Sequence, residues 1–130
     1  MEEKRKIVSM LFADIKGFSG IKNDPLYSKL GSIIDQIKTN LQSQDTNFFI
    51  NTWGDAFFIC SYDPFDLIEI ALELRDKFRN KNWLKLGFNE KLSIRIGIHT
   101  ESANIRFEDG KATNVIGSSV IIMLLELNLW

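Results

Sequence analysis

The amino-acid sequence predicts an α+β domain with the element order β-α-β-β-α-β. Three observations support this prediction: an apolar, β-branched segment lies near the N-terminus, two segments carry apolar residues at helical spacing, and short strand-like segments lie between and after them. Two right-handed crossovers fold such strands into an antiparallel sheet with both helices on one face, the ferredoxin-like arrangement.

The first strand and the first helix are predicted from the N-terminal third of the chain. Residues 6–14 (KIVSMLFAD) are mostly apolar or β-branched, as in a buried strand. Asp24-Pro25 can begin a helix, because proline fits the first helical turn, and this helix is expected to end near residue 44. Its apolar residues recur every three or four positions and should face a core. They are Leu26, Leu30, Ile33, Ile34, Ile37 and Leu41.

A hairpin, a second helix and a last strand complete the order. Residues 48–53 and 56–60 are aromatic-rich strands on either side of Gly54-Asp55, where glycine allows a positive φ. Asp63-Pro64 opens a helix that is expected to end near residue 80. Residues 92–99 (LSIRIGIH) alternate apolar and polar, as a half-buried strand does. The second helix is expected to point these residues inward: Phe65, Ile68, Ala71, Leu72 and Phe78.

Length and composition limit the class of protein. The 130 residues suit a single domain spanning residues 1–130, and 45% hydrophobic with 25% charged residues is ordinary for a globular protein, which excludes disordered and collagen-like chains. The 16 Lys and Arg against 17 Asp and Glu give a formal charge of −1, so no basic field for nucleic acid is present. We expect a nucleotide, if bound, to be held locally, and no nucleic-acid partner.

The compartment is predicted from cysteine content and apolar runs. Cys60 is the only cysteine and cannot form an internal disulfide. No apolar stretch approaches the roughly 20 residues of a membrane span, and the N-terminal segment lacks the pattern of a secretory signal. We therefore expect a cytoplasmic location and no membrane partner.

Two acidic residues lie at predicted strand ends. Asp14 ends the first strand and Asp55 lies at the hairpin tip, and both could meet at one edge of the sheet because the first strand lies beside the hairpin. Two carboxylates together with substrate phosphates suit Mg²⁺ or Mn²⁺, which prefer oxygen ligands. Backbone N–H groups of residues 15–19 can face an anion. Alternatively, each aspartate alone is explained as a turn former or helix cap.

Three motifs stand in order along the chain: FADIKGF at residues 12–18, TWGDAFF at residues 52–58 and RIGIHT at residues 95–100. Together they closely resemble the class III nucleotide cyclase catalytic domain, over about residues 7–120. The resemblance implies a lyase that converts a nucleoside triphosphate into a 3′,5′-cyclic monophosphate and pyrophosphate. It also implies a homodimer in which each active site is formed by both subunits.

The resemblance implies roles for residues of the first two motifs. Asp14 and Asp55 would carry two metal ions, Mg²⁺ or Mn²⁺, and the carbonyl of Ile15 would add a ligand. The β- and γ-phosphates would be held by residues of the segment that follows, Gly17, Phe18 and Ser19.

In the family, one residue that contacts the nucleobase lies three positions before the glycine of the hairpin. A second lies three positions before the glycine that opens the last helix. In this chain the two positions are Asn51 and Asn114. Adenylate cyclases resemble one another in having Lys and Asp at these positions, whereas guanylate cyclases have Glu and Cys. Two amides can serve a pyrimidine edge, and the chain resembles the bacterial anti-phage uridylate and cytidylate cyclases of the Pycsar type. UTP is the expected substrate. The alternatives are an adenylate or guanylate cyclase, or two asparagines that contact no base.

The chain departs from the family near its C-terminus. Glu101 and Ser102 follow RIGIHT, where the family has glycine and often a basic residue; Arg106 and Lys111 are candidates to compensate. Ile121 and Leu125 occupy the positions of an asparagine that orients the ribose and an arginine that stabilises the transferring phosphate. Neither aliphatic side chain can replace these functions, so no catalytic residue of that helix is intact and cyclase activity is expected to be impaired.

Residues 121–130 are interpreted as an aberrant tail on a partial domain. Synonymous codons for this tail can be chosen so that a shifted frame encodes Asn-Asn-Ala-Ala-Arg, the missing family motif, and this suggests a frameshift near Val120. The alternative is a natural apolar segment that packs on the sheet or contacts a partner.

Two other classes of protein remain open at this point. A nucleotide- or partner-binding module without catalysis would bind the metal–nucleotide complex and release no product. A GGDEF-type diguanylate cyclase or a polymerase palm shares the β-α-β-β-α-β core, but TWGDAFF supplies only one acid at the turn, which disfavours that class.

Overall fold

The computed structural model describes residues 2–16, 24–42, 47–53 and 56–117. In chain order the described elements are β1 (Glu2–Lys16), α1 (Asp24–Gln42), β2 (Asn47–Trp53), β3 (Ala56–Ser61), α2 (Pro64–Asn80), β4 (Ser93–Glu108) and β5 (Lys111–Ile116). The strands form one antiparallel sheet in the order β2-β3-β1-β4-β5. The predicted α+β order is confirmed, and β5 extends it by one strand.

Strand β1 runs through the centre of the sheet. It pairs with β3 on one side and with β4 on the other, and its side chains are buried from residue 8 to residue 15. Because successive side chains of a strand point to opposite faces, Leu11, Ala13 and Ile15 enter the core beneath the helices, whereas Met10 and Phe12 enter a cluster on the other face.

The helices cover one face of the sheet with complementary apolar stripes. Helix α1 buries the predicted stripe, with Leu30, Ile34, Ile37 and Leu41 inside and Leu26 and Ile33 partly buried. Helix α2 begins where expected, since Asp63 Oδ1 accepts a hydrogen bond from the Phe65 N–H at 2.9 Å. After α2, the buried Trp83 closes this core and donates its Nε1–H to the Phe78 carbonyl at 2.8 Å.

The inward face of α2 was predicted wrongly in part. Phe65, Ile68 and Leu72 are 72%, 44% and 46% exposed, whereas Phe78 is buried and Ala71 is half-buried. The helix carries two apolar stripes at helical spacing, and the spacing cannot choose between them. The sheet selects the second stripe, which consists of Leu67, Ile70, Leu74 and Phe78.

Strands β4 and β5 form a hairpin that extends well past the predicted end of the last strand. Asp109 and Gly110 join the two strands, and both have positive φ, 52° and 76°. Two consecutive positive-φ residues are typical of a two-residue hairpin turn, and Asp-Gly is a favoured sequence there. Strand β5 (KATNVI) was not predicted, because it is polar and largely exposed at the sheet edge and lacks the apolar alternation of a half-buried strand.

The sheet curls around its second face. Cα atoms of the two edge strands, β2 and β5, approach within 8 Å of each other. Both strands pack on what we call the second cluster, through Phe49 on β2 and Val115 on β5. The second cluster consists of Val8, Met10, Phe12, Phe58, Cys60, Ala103, Ile105 and Val115.

Neither α1 nor α2, the helices of the described ranges, has the length and apolar character needed to cross a membrane.

Candidate functional site

Asp14 lies at the end of β1, on the face opposite the helices. It is buried, and its cross-strand neighbours are Ala56 on β3 and Arg95 on β4. The guanidinium of Arg95 grips both carboxylate oxygens: Nη2 donates to Oδ2 at 2.8 Å and Nε donates to Oδ1 at 3.2 Å. Such two-point, charge-assisted pairs are among the stronger hydrogen-bonded contacts.

This ion pair explains how a carboxylate is tolerated at a buried position. A buried charge without a partner is strongly unfavourable, and Arg95 supplies the opposite charge directly across the β1–β4 ladder. Arg95 belongs to the RIGIHT motif, and its pairing with Asp14 was not predicted. The only signal in the sequence was a charged residue at a polar position of an alternating strand. The residue that lies opposite it could not be predicted, because this depends on strand register.

Asp55 was predicted to converge with Asp14. The β1–β3 register sets Asp14 directly opposite Ala56, the residue that follows Asp55 in the chain. Asp55 itself lies outside the described residues, so the convergence of the two carboxylates stays a prediction. Ile15, the expected carbonyl ligand, has its side chain in the core beneath the helices. Also outside the described residues are Gly17, Phe18, Ser19, Ile121 and Leu125.

The described residues were tested for a metal site. Within residues 2–16, 24–42, 47–53 and 56–117, no group of three or more His, Cys, Asp and Glu side chains is placed to hold a metal ion. Asp14 does offer hard carboxylate oxygens at a strand end, and these oxygens already attract a cation, the Arg95 guanidinium. Its chemistry therefore fits one ligand of a Mg²⁺ or Mn²⁺ site.

Asn51 and Asn114 use their side chains in the same way. The Oδ1 of Asn51 accepts a hydrogen bond from the Thr52 N–H at 2.9 Å, and the Oδ1 of Asn114 accepts one from the Val115 N–H, also at 2.9 Å. A backbone N–H can only donate, so each bond fixes the amide with its oxygen toward the main chain. These bonds do not use the Nδ2 amino group of either asparagine, so Nδ2 is the group that could donate to a ligand.

The two asparagines lie at different places on the sheet. Asn51 is half-buried on β2 opposite Phe58, near the strand end that carries Asp14. Asn114 is exposed on β5 opposite Arg106. Arg106 follows Arg95 by eleven positions on β4, which corresponds to roughly 35 Å of strand. Asp14 and Asn114 therefore lie near opposite ends of β4 within one chain.

This separation also bears on the residues that were expected to compensate for the missing basic residue. Arg106 is half-buried and Lys111 is exposed at the start of β5, and both lie at the end of β4 away from Asp14. The register therefore sets Arg106 and Lys111 ten or more positions along the β1–β4–β5 ladders from Asp14.

Glu101 packs against Gly117, which stands at the position of the glycine that opens the family's last helix. Its side chain is 15% exposed, and its Oε2 lies 3.5 Å from His99 Nε2. A Cβ added at Gly117 would collide with Glu101 Oε1 and touch Ala103 Cβ. A side chain at residue 117 would therefore displace the Glu101 carboxylate, which is the far end of a flexible side chain.

Comparison with known proteins agrees with the fold and the motifs. The family model of the adenylate and guanylate cyclase catalytic domain matches residues 1–110. The chain belongs to this family of nucleotide cyclases. A comparison with curated protein sequences gave no significant match.

Solved structures of cyclases share the fold at low sequence identity. The adenylyl cyclase CyaB from P. aeruginosa is 20% identical with a TM-score of 0.76, and the alignment covers 94% of this chain and 71% of that chain. The guanylate cyclase domain of RhGC from Catenaria anguillulae, solved in complex with GTP, is 19% identical with a TM-score of 0.60, over 94% and 71% of the two chains. A dimeric guanylyl cyclase domain of the RhoGC fusion protein from Blastocladiella emersonii is 18% identical with a TM-score of 0.63, over 93% and 73%.

Proposed function

We propose that this class III cyclase domain converts a nucleoside triphosphate into its 3′,5′-cyclic monophosphate and pyrophosphate, with UTP as the preferred substrate and a homodimer as the working unit. The single observation that carries the proposal is Asp14, which stands where the resemblance expects a metal ligand and is buried near the end of the central strand beside the Arg95 guanidinium. A buried carboxylate needs a positive charge beside it, which suits a site that binds cations.

The residues expected to hold the metal ions are Asp14, Asp55 and the Ile15 carbonyl. When bound, Mg²⁺ or Mn²⁺ would lower the charge of the triphosphate and favour ionisation of the attacking 3′-hydroxyl. The backbone at Gly17, Phe18 and Ser19 would orient the β- and γ-phosphates through N–H groups.

The homodimer is supported by the distribution of the site along β4. Asp14 lies opposite Arg95 and Asn114 lies opposite Arg106, so the two residues are eleven positions apart along this strand. A two-fold arrangement of two copies would bring the Asn114 end of one subunit to the Asp14 end of the other. The related guanylyl cyclase domain of the RhoGC fusion protein has been solved both as a monomer and as a non-canonical dimer.

The preference for UTP is supported by the amide orientation. Asn51 and Asn114 both direct Oδ1 to the main chain and keep Nδ2 as a donor. Two such donors match the O2 and O4 acceptors of uracil, which lie on either side of its N3–H, whereas cytosine offers only one carbonyl oxygen on that edge. A cyclic pyrimidine nucleotide produced in this way would act in anti-phage signalling.

Impaired turnover is the expected state of this chain, because Ile121 and Leu125 stand where the family has polar and charged groups. The test is incubation with each of the four ribonucleoside triphosphates and Mn²⁺, with cyclic products separated by chromatography. We expect cyclic UMP at a low rate. Turnover comparable to intact cyclases would contradict the impairment, and a cyclic purine product would contradict the pyrimidine preference.

A binding measurement separates a weak cyclase from a module without catalysis. Asp14→Asn should abolish Mn²⁺-dependent binding of UTP, whereas Asp35→Asn, an exposed carboxylate of α1, should leave it unchanged. Binding that depends on Asp14 without any cyclic product would favour the binding module. Binding that ignores Asp14 would refute the proposed site.

A further inference from the structure

We infer that the open edge of β4, together with the exposed apolar flank of α2, is a docking surface for residues 118–127 of the same chain. These residues (SSVIIMLLEL) lie outside the described residues. They would continue β5 as an antiparallel strand along β4. This assignment goes beyond the proposed function and does not depend on it.

Strand β4 has an open edge over most of its length. On one side it pairs with β1 from Ser93 to Phe107. On the other side β5 pairs only with residues 104–108, and no strand of the described ranges pairs there with residues 93–103. An open edge presents a row of N–H and C=O groups without strand partners, so it readily accepts a further strand.

The exposed apolar flank of α2 faces this edge. Four residues at a spacing of three or four share one side of the helix: Ile68, Leu72, Arg75 and Arg79. Arg75 and Arg79 line a surface cavity together with Ile94 at the start of β4. The same side of α2 therefore presents Ile68 and Leu72, which are 44% and 46% exposed, toward β4.

Strand register sets the level at which α2 passes β4. The helix follows Ser61, whose row across β3, β1 and β4 ends at Thr100. Its 17 residues extend about 25 Å, which is close to the length of β4 from Thr100 back to Ser93, about 23 Å. Ile68 therefore lies at the level of Ile98, which is on the helix face of β4 and is 38% exposed.

The register of β5 specifies where each following residue would lie. Ile116 lies opposite Asn104, and each step forward along this ladder is one step back on β4. Gly117 keeps this register, since a Cβ built on it would lie 3.4 Å from the Cβ of Ala103, as directly opposed residues do. The ten residues 118–127 would then match positions 102–93 and end opposite Ser93, so the segment has the length of the open edge.

The apolar residues of the segment match the surface that they would meet. Because successive side chains of a strand alternate between faces, its even-numbered residues would lie on the helix face of the sheet. Ile122 would lie opposite Ile98 and beside Ile68, and Leu124 would lie one row further on, beside Leu72. Docking would remove the exposed apolar surface of both α2 and β4 from water.

The one acidic residue of the segment falls where α2 is basic. In the same register Glu126 would lie opposite Ile94, the residue that shares a surface cavity with Arg75 and Arg79. Arg79 has no ion-pair partner among the described residues. The segment thus matches the docking surface in charge as well as in apolar character.

Disulfide cross-linking of the full chain tests the register, with Cys60→Ala as background. Ile98→Cys/Ile122→Cys should form a disulfide within one chain about tenfold faster than the control Ile98→Cys/Ile121→Cys, because the side chain at 121 would point to the other face. Electrophoresis without reductant measures the rate. Equal rates in the two variants overturn the inference. A disulfide that joins two chains also overturns it and assigns the surface to a second copy.

Charge reversal gives a second measurement that decides the question if the cysteine variants fail to fold. Arg79→Glu and Glu126→Arg should each lower the thermal unfolding midpoint by about 3 °C, and Arg79→Glu/Glu126→Arg should recover most of this loss. Lys77→Glu is the matched control, because Lys77 lies on the side of α2 that faces α1. Glu126→Arg should not rescue Lys77→Glu. Additive losses in both pairs overturn the inference.

Discussion

Phe12 and Phe58 stack across β1 and β3 with their ring centroids 4.6 Å apart and their planes inclined by 22°. They form a directly opposed pair of residues, and the next such pair on this face toward the hairpin is Asp14 and Ala56. The stack therefore fixes the register of the two strands next to Asp14. It also fills the second cluster, where Phe49 meets the Phe58 ring edge-on at 5.9 Å.

Replacement of Phe58 by alanine should lower the free energy of unfolding by about 3–5 kcal/mol, because a fully buried ring would leave a cavity. Chemical denaturation monitored by circular dichroism measures this loss. Phe65→Ala is the matched control: Phe65 is 72% exposed on α2, and its replacement should change stability by less than about 0.5 kcal/mol. Equal losses in the two variants would contradict the described packing of the second cluster.

Replacement of Gly117 by alanine should destabilise the fold by about 1 kcal/mol, because the added Cβ displaces the flexible end of the Glu101 side chain. The loss should be largely recovered in Gly117→Ala/Glu101→Ala, which removes the colliding atom. A double-mutant cycle of unfolding free energies measures the coupling. Strict additivity of the two changes would show that Glu101 does not approach residue 117.

Cys60 provides a prediction of pH dependence. Burial raises the pKa of this thiol well above its ordinary value of 9.0. The folded protein therefore retains a proton that the unfolded chain releases above pH 9.0, so this contribution to stability is present at lower pH and is lost as the pH rises. Above pH 9.0 the free energy of unfolding should fall by about 1.4 kcal/mol per pH unit more steeply than in Cys60→Ala.

The thiol should also be inert to 5,5′-dithiobis(2-nitrobenzoic acid) until the protein unfolds, because the reactive form is the thiolate. Rapid modification of the native protein, or identical pH slopes with and without Cys60, would show that the side chain is not buried as described.

Restoration of the family residues tests the interpretation of the C-terminal segment. Ile121→Asn/Leu125→Arg should raise the rate of cyclic nucleotide formation by about 100-fold or more, the usual effect of a transition-state contact. The same residue types moved by one position, Ile122→Asn/Leu124→Arg, serve as the control and should bring no gain. If neither double variant is faster than the unmodified protein, loss of these two groups does not account for the expected impairment. The codon sequence of residues 121–130 independently tests the frameshift hypothesis.

Local patterns accounted for the element order from β1 to β4 and for the place of Asp14 near the end of a strand. The buried stripe of α1 was predicted because its apolar residues lie on one side of the helix and its polar residues on the other. Only one orientation of the helix about its axis buries the apolar side. Asp14 could be assigned to a strand end because the apolar run before it is unbroken. The stripe of α2 could not be chosen from its sequence, since Leu67 and Ile68 begin two different stripes of similar spacing.

The sequence by itself determined the cyclase motifs, the order of strands and helices from β1 to β4, and the positions of Asp14 and Asn51 within their strands. These properties depend on residue type and on spacing along the chain. Only the tertiary structure decided that Arg95 grips Asp14, and that Asn114 lies at the opposite end of β4. Both facts depend on strand register, which is set by the packing of the whole sheet and has no signature in either strand alone.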